Sequence, residues 1–164
     1  MVNIGAARHL LVRAHGKGAL IEGIVLYCSV IDALLRQLLL IERSIKARKT
    51  PTSGSVNIPD GFVWQEDEDP KFAERTVIRI AEDEGVINAD LSRQLNELYD
   101  ERNRVVHRYI LSFYRYSDME PILGKYELVY QELYRRLEEY ERPDLHELSD
   151  EQMSEMLARL KEKF

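Results

Sequence analysis

The sequence has little cysteine and no excess of positive charge, and both features narrow the classes of function that it can have. Its 164 residues include one cysteine, which excludes an intramolecular disulfide framework and a zinc site built on cysteines. Lys and Arg total 23 against 29 Asp and Glu, a formal net charge of −6. That balance excludes a protein that coats nucleic acid by bulk charge, although a local basic site stays open.

A targeting segment and a membrane anchor are not expected either. Residues 1–13 contain no unbroken apolar core of the kind that a signal peptide requires. Residues 23–41 are apolar enough to consider a membrane span, but they contain Asp32 and Arg36, and each charge would cost about 2.5–3.5 kcal/mol at mid-membrane. These two residues are spaced i, i+4, so they pair on one helix face. We therefore predict a buried helix of a cytoplasmic protein without membrane contact.

The hydrophobic content and the length of the chain are sufficient for one helical domain. Hydrophobic residues make up 45% of the chain, and a chain of this length buries about two thirds of its unfolded surface. We predict a single all-α domain over residues 1–164, an antiparallel bundle of about five helices with its core at about 19–140. A long loop is expected at 50–70 and a C-terminal helix within 144–164. The predicted helices cover 6–15, 19–47, 71–84, 90–116 and 119–141, with a last one from Ser149.

Local signals set these boundaries. The apolar positions of 20–41 recur with helical spacing. Asn88 and Asp90 are both good N-caps for the fourth helix, and Pro121 suits the first turn of the fifth. Ser149 with Gln152 forms a capping box before the last helix. The loop at 50–70 is either a functional segment or a surface excursion anchored by Trp64.

The helix predicted at 90–116 carries the most informative residues. Arg102 interrupts its apolar stripe, and because an unpaired buried charge is costly, Arg102 must pair with an acid or line a site. Asp32 on the long second helix is the acid we expect it to meet. The apolar positions of the stripe are Leu91, Leu95, Leu98, Val105, Val106, Tyr109 and Phe113.

His107 lies about 140° around this helix from Arg102, and Asn103 lies between them, about 40° from His107. Residues 102–115 contain four arginines and no acid, so a basic patch surrounds this histidine. Arginine suits phosphate, and histidine moves protons near neutral pH. Together they are the minimal equipment for metal-independent cleavage of an RNA phosphodiester. Since Arg102 and His107 do not share a face, a symmetric second copy would be needed to unite them.

The segment at 99–109, YDERNRVVHRY, resembles the signature of HEPN domains, which are all-helical, usually dimeric, and in many cases ribonucleases of defence systems. Arg102, Asn103 and His107 match the motif of that family. Tyr109 lies two residues after His107, and this Arg-x4-His-x-Tyr spacing resembles that of the HepT toxin subfamily. The preceding apolar helix with Asp32 and Arg36 also resembles the family.

The resemblance implies an endoribonuclease that serves as the toxin of a toxin–antitoxin system or in another defence system, and that cleaves RNA at a composite site in a homodimer. A minimal nucleotidyltransferase antitoxin is the partner that the HepT-like motif would imply, but the long loop and the long C-terminal segment depart from that subfamily. No metal and no cofactor are expected. The implied catalytic residues are Arg102, His107 and Asn103, and the implied substrate-binding residues are Arg104, Arg108 and Tyr109.

Other interpretations stay open for the same residues. The chain could be a non-catalytic HEPN-like module that binds a nucleotide, RNA or a protein, or a purely structural helical dimer. Arg102 and His107 could have structural roles alone. Cys28 is interpreted as a small core residue, and the tyrosines at 126, 130 and 134 as a packing stripe.

Overall fold

Five α-helices and one short 3-10 helix account for the part of the chain that the structure describes. The structure is a computed structural model, and it describes residues 4–49, 62, 72–108 and 115–141. The all-α fold class is confirmed for these residues. The helices, named α1 to α5 in chain order, are Ile4–Gly16, Leu20–Lys49, Glu74–Asp83, Ala89–Arg108 and Glu120–Glu141, with the 3-10 helix at Tyr116–Met119 before α5.

The local signals place most helix ends correctly. Asn88 caps α4, because its Oδ1 accepts a hydrogen bond from the backbone N–H of Leu91 at 2.9 Å. Gly85 follows α3 with φ of 76°, and Gly18 turns the chain between α1 and α2 with φ of 65°. Both angles lie in the left-handed region that glycine adopts without strain. Pro121 lies in the first turn of α5, as predicted.

Helix α2 forms the centre of the core and packs against each of the other four α-helices. Its residues Ile24, Leu34, Leu38 and Leu39 are fully buried, as expected from their helical spacing and size. Among the described residues, α2 is also the one helix long and apolar enough to cross a membrane, over Leu20–Ala47.

The pairing of α2 with α5 corrects the predicted antiparallel arrangement. Cys28 meets Tyr126 and Glu42 meets Tyr140, so residue numbers rise together and the two helices run parallel. Close approach is possible because Gly23 faces α5, where an added Cβ would lie 3.0 Å from Leu123 Cδ1. Parallel packing is possible because α4 runs in the opposite direction to α5 and returns the chain to the starting end.

Helix α4 runs antiparallel to α5, as predicted for neighbours in sequence. The hydroxyl of Tyr126 donates to the carbonyl oxygen of Leu98 at 2.6 Å, and one turn away Lys125 pairs with Glu101 at 2.9 Å. The residue numbers therefore rise on one helix as they fall on the other. These contacts fix the rotation of α4 and decide which of its side chains face the core.

Phe62 is an anchor that the sequence pattern did not reveal. It is the one described residue of the predicted loop at 50–70 and is fully buried. Its carbonyl oxygen accepts from Arg36 at 2.5 Å, and the guanidinium groups of Arg36 and Arg43 lie 5.6 and 5.1 Å from its ring centre. Trp64, the predicted anchor, and the helix predicted from Ser149 lie outside the described residues.

Candidate functional site

A polar groove runs along the exposed face of α4. It encloses about 470 Å³ and is lined by Tyr99, Asp100, Asn103, Arg104 and His107. Three of these residues are spaced i, i+4 and i+8, which places Tyr99, Asn103 and His107 along one edge of the helix. The structure therefore brings Asn103, Arg104 and His107 together in one groove, and we call it the outer groove.

Two residues of the outer groove were not assigned a role from the sequence. Tyr99 and Asp100 begin the segment that resembles the HEPN signature, but neither belongs to its motif. The i, i+4, i+8 spacing of Tyr99 with Asn103 and His107 is a signal that could have found the tyrosine. Asp100 is held by an ion pair to Arg75 of α3, which fixes one wall of the groove.

Arg102 lies outside the outer groove, on the face of α4 that turns towards the bundle. Its two terminal nitrogens bind the carboxylate of Glu74 in a bidentate pair, with Nη1 to Oε1 at 3.0 Å and Nη2 to Oε2 at 2.8 Å. Both side chains are largely buried, with 21% and 28% exposed. Of the two roles predicted for Arg102, which were to pair with an acid or to line a site, the structure shows the pairing with an acid.

The identity of that acid is a correction. Asp32 does not pair with Arg102, because it is already bound by Arg36 on the next turn of α2, with Nε to Oδ2 at 2.7 Å. Glu74 begins α3 and reaches Arg102 from the other side. Arg102 therefore pairs with a different acid. The i, i+4 spacing of Asp32 and Arg36 in the sequence was the signal that Asp32 already pairs with Arg36.

Tyr99 connects the two faces of α4. The guanidinium group of Arg102 lies 4.7 Å from the centre of its ring, and that of Arg75 lies 4.8 Å from it. Such cation–π contacts stabilise by about 0.5–2 kcal/mol, depending on desolvation. Tyr99 also lines a small inner cavity of about 30 Å³ with Asp32 and Glu74. The ring is therefore the wall between the inner ion pair and the outer groove.

The inner side of this wall is a desolvated environment. Burial raises the pKa of Glu74, although the charge of Arg102 opposes the rise. Burial also raises the pKa of Cys28 to about 11, and its thiol donates to the hydroxyl of Tyr126 at 3.2 Å. Cys28 is 8% exposed, so its interpretation as a core residue is confirmed.

The electrostatics of the two faces differ from the uniform basic patch that the sequence suggested. Glu74 neutralises Arg102, and Asp100 is paired with Arg75. Arg104 is exposed and has no acidic partner among the described residues, so it supplies the positive charge of the outer groove. His107 is exposed beside it.

The remaining predictions concern the end of α4 and the binding of a metal ion. Val106 is 41% exposed, so its assignment to the buried stripe is wrong, whereas Val105 beside it is buried. Tyr109 lies outside the described residues, and Arg108 is described only as the last residue of α4. Within the described ranges, no group of three or more His, Cys, Asp or Glu side chains is placed to hold a metal ion.

Comparison with known proteins adds no relative to this picture: no family model, no curated protein and no solved structure matches the chain.

Proposed function

We propose that this chain is a metal-independent endoribonuclease whose outer groove binds the RNA backbone. The observation that carries the proposal is the grouping of Asn103, Arg104 and His107 in one groove. The imidazole of His107, the amide of Asn103 and the guanidinium of Arg104, which has no acidic partner among the described residues, are groups that move protons and bind a phosphodiester. Tyr99 also lines this groove and offers the edge of its ring to a base.

In the proposed reaction His107 takes the proton of a ribose 2′-hydroxyl. The 2′-oxygen attacks the adjacent phosphorus, and Arg104 and Asn103 stabilise the charge on the phosphoryl oxygens. The bond from phosphorus to the 5′-oxygen breaks, and that oxygen leaves with a proton from an acid. The products are an RNA end with a 2′,3′-cyclic phosphate and an end with a free 5′-hydroxyl.

The need for both a base and an acid favours a homodimer. Each outer groove contains one histidine, so a second copy that faces it would supply the second proton-transfer group. The exposed Val106, next to His107, offers an apolar contact for that copy. The likeness of 99–109 to HEPN domains supports the same assembly. Arg108 and Tyr109 keep their proposed role in substrate binding, and the chain would act in the cytoplasm.

The direct test is cleavage of labelled RNA by the purified protein, with excess EDTA and without it. We expect cleavage in both conditions, and a loss of about 10²–10⁴-fold for H107A. The matched control is H9A, which removes an exposed histidine of α1, far from the outer groove in sequence. Equal cleavage by H107A and the wild type would overturn the proposal, and so would loss of cleavage with EDTA.

A second candidate is a binding module that does not cleave RNA. The observation that favours it is the bidentate pair of Arg102 with Glu74, because this pair removes one cation of the HEPN-like motif from the substrate. In that case the wild-type protein would bind labelled RNA or a nucleotide and leave the RNA intact on long incubation. A minimal nucleotidyltransferase partner remains a proposal of the HEPN likeness alone.

A further inference from the structure

A second groove lies on the other side of the bundle, between α1 and α5. It encloses about 610 Å³, and Tyr27 of α2, Tyr130 and Tyr134 give it an aromatic lining. Val12 also lines it and is 67% exposed, an unusual exposure for a valine in a groove. We call it the tyrosine groove. An aromatic and apolar surface of this size fits the side of an amphipathic helix.

The residues that follow α5 contain such a helix pattern. Met153, Met156, Leu157, Leu160 and Phe164 are spaced i, i+3, i+4, i+7 and i+11, so they form one apolar stripe. The stripe extends over the 12 residues 153–164, which rise by about 16 Å along a helix. On α5, the lining of the tyrosine groove extends from Glu127 to Glu138, also 12 residues. The two lengths match.

The connection between them is long enough for the chain to fold back. Helix α5 ends at Glu141, three residues beyond Glu138 at the end of the groove. Seven residues, 142–148, then precede Ser149, and when extended they reach about 23 Å. Pro143 favours a break in the helix at this point. A helix starting at Ser149 can therefore return along α5 over the tyrosine groove.

Charge also matches between the groove and this segment. On the α5 wall of the groove, Glu127 lies near the start of the helix, and Arg135 and Glu138 lie near its end. The segment 144–155 holds five acids, and the segment 159–163 holds three bases. A helix that returns from Ser149 brings its acids towards Arg135 near the end of α5, and a base such as Lys161 towards Glu127 near the start of α5.

We infer that residues 149–164 of this chain bind in the tyrosine groove as an amphipathic helix that packs its methionines and leucines on Tyr27, Tyr130 and Tyr134. This inference is independent of the ribonuclease chemistry, because the tyrosine groove shares no residue with the outer groove.

Cross-linking of the full-length chain tests it. Val12→Cys combined with Met156→Cys should be joined within one chain by a short bismaleimide, at least tenfold faster than the control pair Arg79→Cys with Met156→Cys. Arg79 is an exposed residue of α3, which contributes nothing to the tyrosine groove. Cys28 stays in place, because burial and its raised pKa keep it from reacting.

Each outcome decides the inference. Adding Leu157→Asp and Leu160→Asp to the first pair should slow the link at least tenfold, whereas adding Leu160→Met should leave it unchanged. Equal rates for the two cysteine pairs would overturn the inference. A link that joins two chains and grows with protein concentration would also overturn it, since the occupant would then be a second copy.

Discussion

The inner and outer faces of α4 place neighbouring residues in different environments. Arg102 turns inwards, binds Glu74 with both terminal nitrogens and lies over Tyr99. Asn103, one residue later, turns outwards into a groove with His107. One step along a helix rotates the side chain by about 100°, which is enough to separate a structural ion pair from an accessible polar surface.

This difference shows that residues of one sequence motif can lie on two different faces of the folded helix. Arg102 and His107 both match the HEPN-like signature, but in one chain they belong to different environments. The charge of Arg102 is already compensated, whereas Arg104 has no acidic partner among the described residues. We therefore propose that the inner face stabilises the fold and that the outer groove binds and cleaves the substrate.

The largest expected effect is on stability at the inner face. R102A leaves the carboxylate of Glu74 without its partner in a desolvated site, so we expect a loss of about 1.5–3 kcal/mol in the free energy of unfolding. H107A removes an exposed side chain and should change that free energy by less than about 0.5 kcal/mol. Urea unfolding of both variants measures the difference. Equal losses would contradict the division into two faces.

This expectation changes the interpretation of R102A that the sequence suggested. From the motif alone, R102A should abolish cleavage without unfolding the protein. The bidentate pair with Glu74 implies that R102A acts on the fold as well, so its activity must be measured at a temperature where circular dichroism shows it folded. A variant that is folded and inactive would return Arg102 to the catalytic residues.

Association of two copies is the next effect in size. V106E places a charge at the exposed apolar position beside His107. If that position lies in the dimer interface, the dissociation constant should rise at least tenfold, because a charge buried in an apolar contact is costly. Sedimentation at several concentrations measures it, with L128E as the control, since Leu128 is an exposed leucine of α5. A larger effect of L128E would move the interface to α5.

A smaller effect concerns the salt dependence of RNA binding. Arg104 is the described cation of the outer groove without an acidic partner, so R104A should reduce the slope of log affinity against log salt by about 0.7 for single-stranded RNA. R79A, an exposed arginine of α3, should leave the slope unchanged. Fluorescence anisotropy over a series of salt concentrations gives both slopes. An unchanged slope for R104A would show that phosphate binds elsewhere.

The smallest expected effect is a pH dependence at the inner face. Because the pKa of Glu74 in the folded state lies above its ordinary value of 4.5, the folded protein binds this proton more tightly than the unfolded chain. The protonated carboxyl group of Glu74 therefore contributes its full stabilisation of the fold below pH 4.5. This stabilisation is lost as the pH rises through the pKa that Glu74 has in the folded state. Relative to E74Q, the wild type should lose stability on going from pH 4 to 7. A gain over that interval would reverse the assigned direction.

Much of the fold could be predicted because helix signals are local. The capping residue Asn88 and the proline at 121 each act within one turn, and each is found where the pattern placed it. The parallel pairing of α2 with α5 could not be predicted. It depends on contacts such as Cys28 with Tyr126, which are far apart in the chain and have no signature in it.

For the candidate site, as for the fold, the local arrangement could be predicted and the contacts between helices could not. The spacing of Asn103 and His107 on a helix indicates that they lie close together, and they share the outer groove. The pairing of Arg102 with Glu74 could not be derived, because it depends on how α3 packs against α4. Phe62 was missed for the same reason, since nothing near it in the sequence shows that two arginines cover its ring.

The most direct test of the central claim is the chemistry of the RNA ends. If His107 activates a ribose 2′-hydroxyl, cleavage of a labelled oligonucleotide must leave a 2′,3′-cyclic phosphate and a free 5′-hydroxyl, and the same sequence made with 2′-deoxyribose must stay intact. Cleavage of the deoxy substrate, or products that carry a 5′-phosphate, would contradict the account.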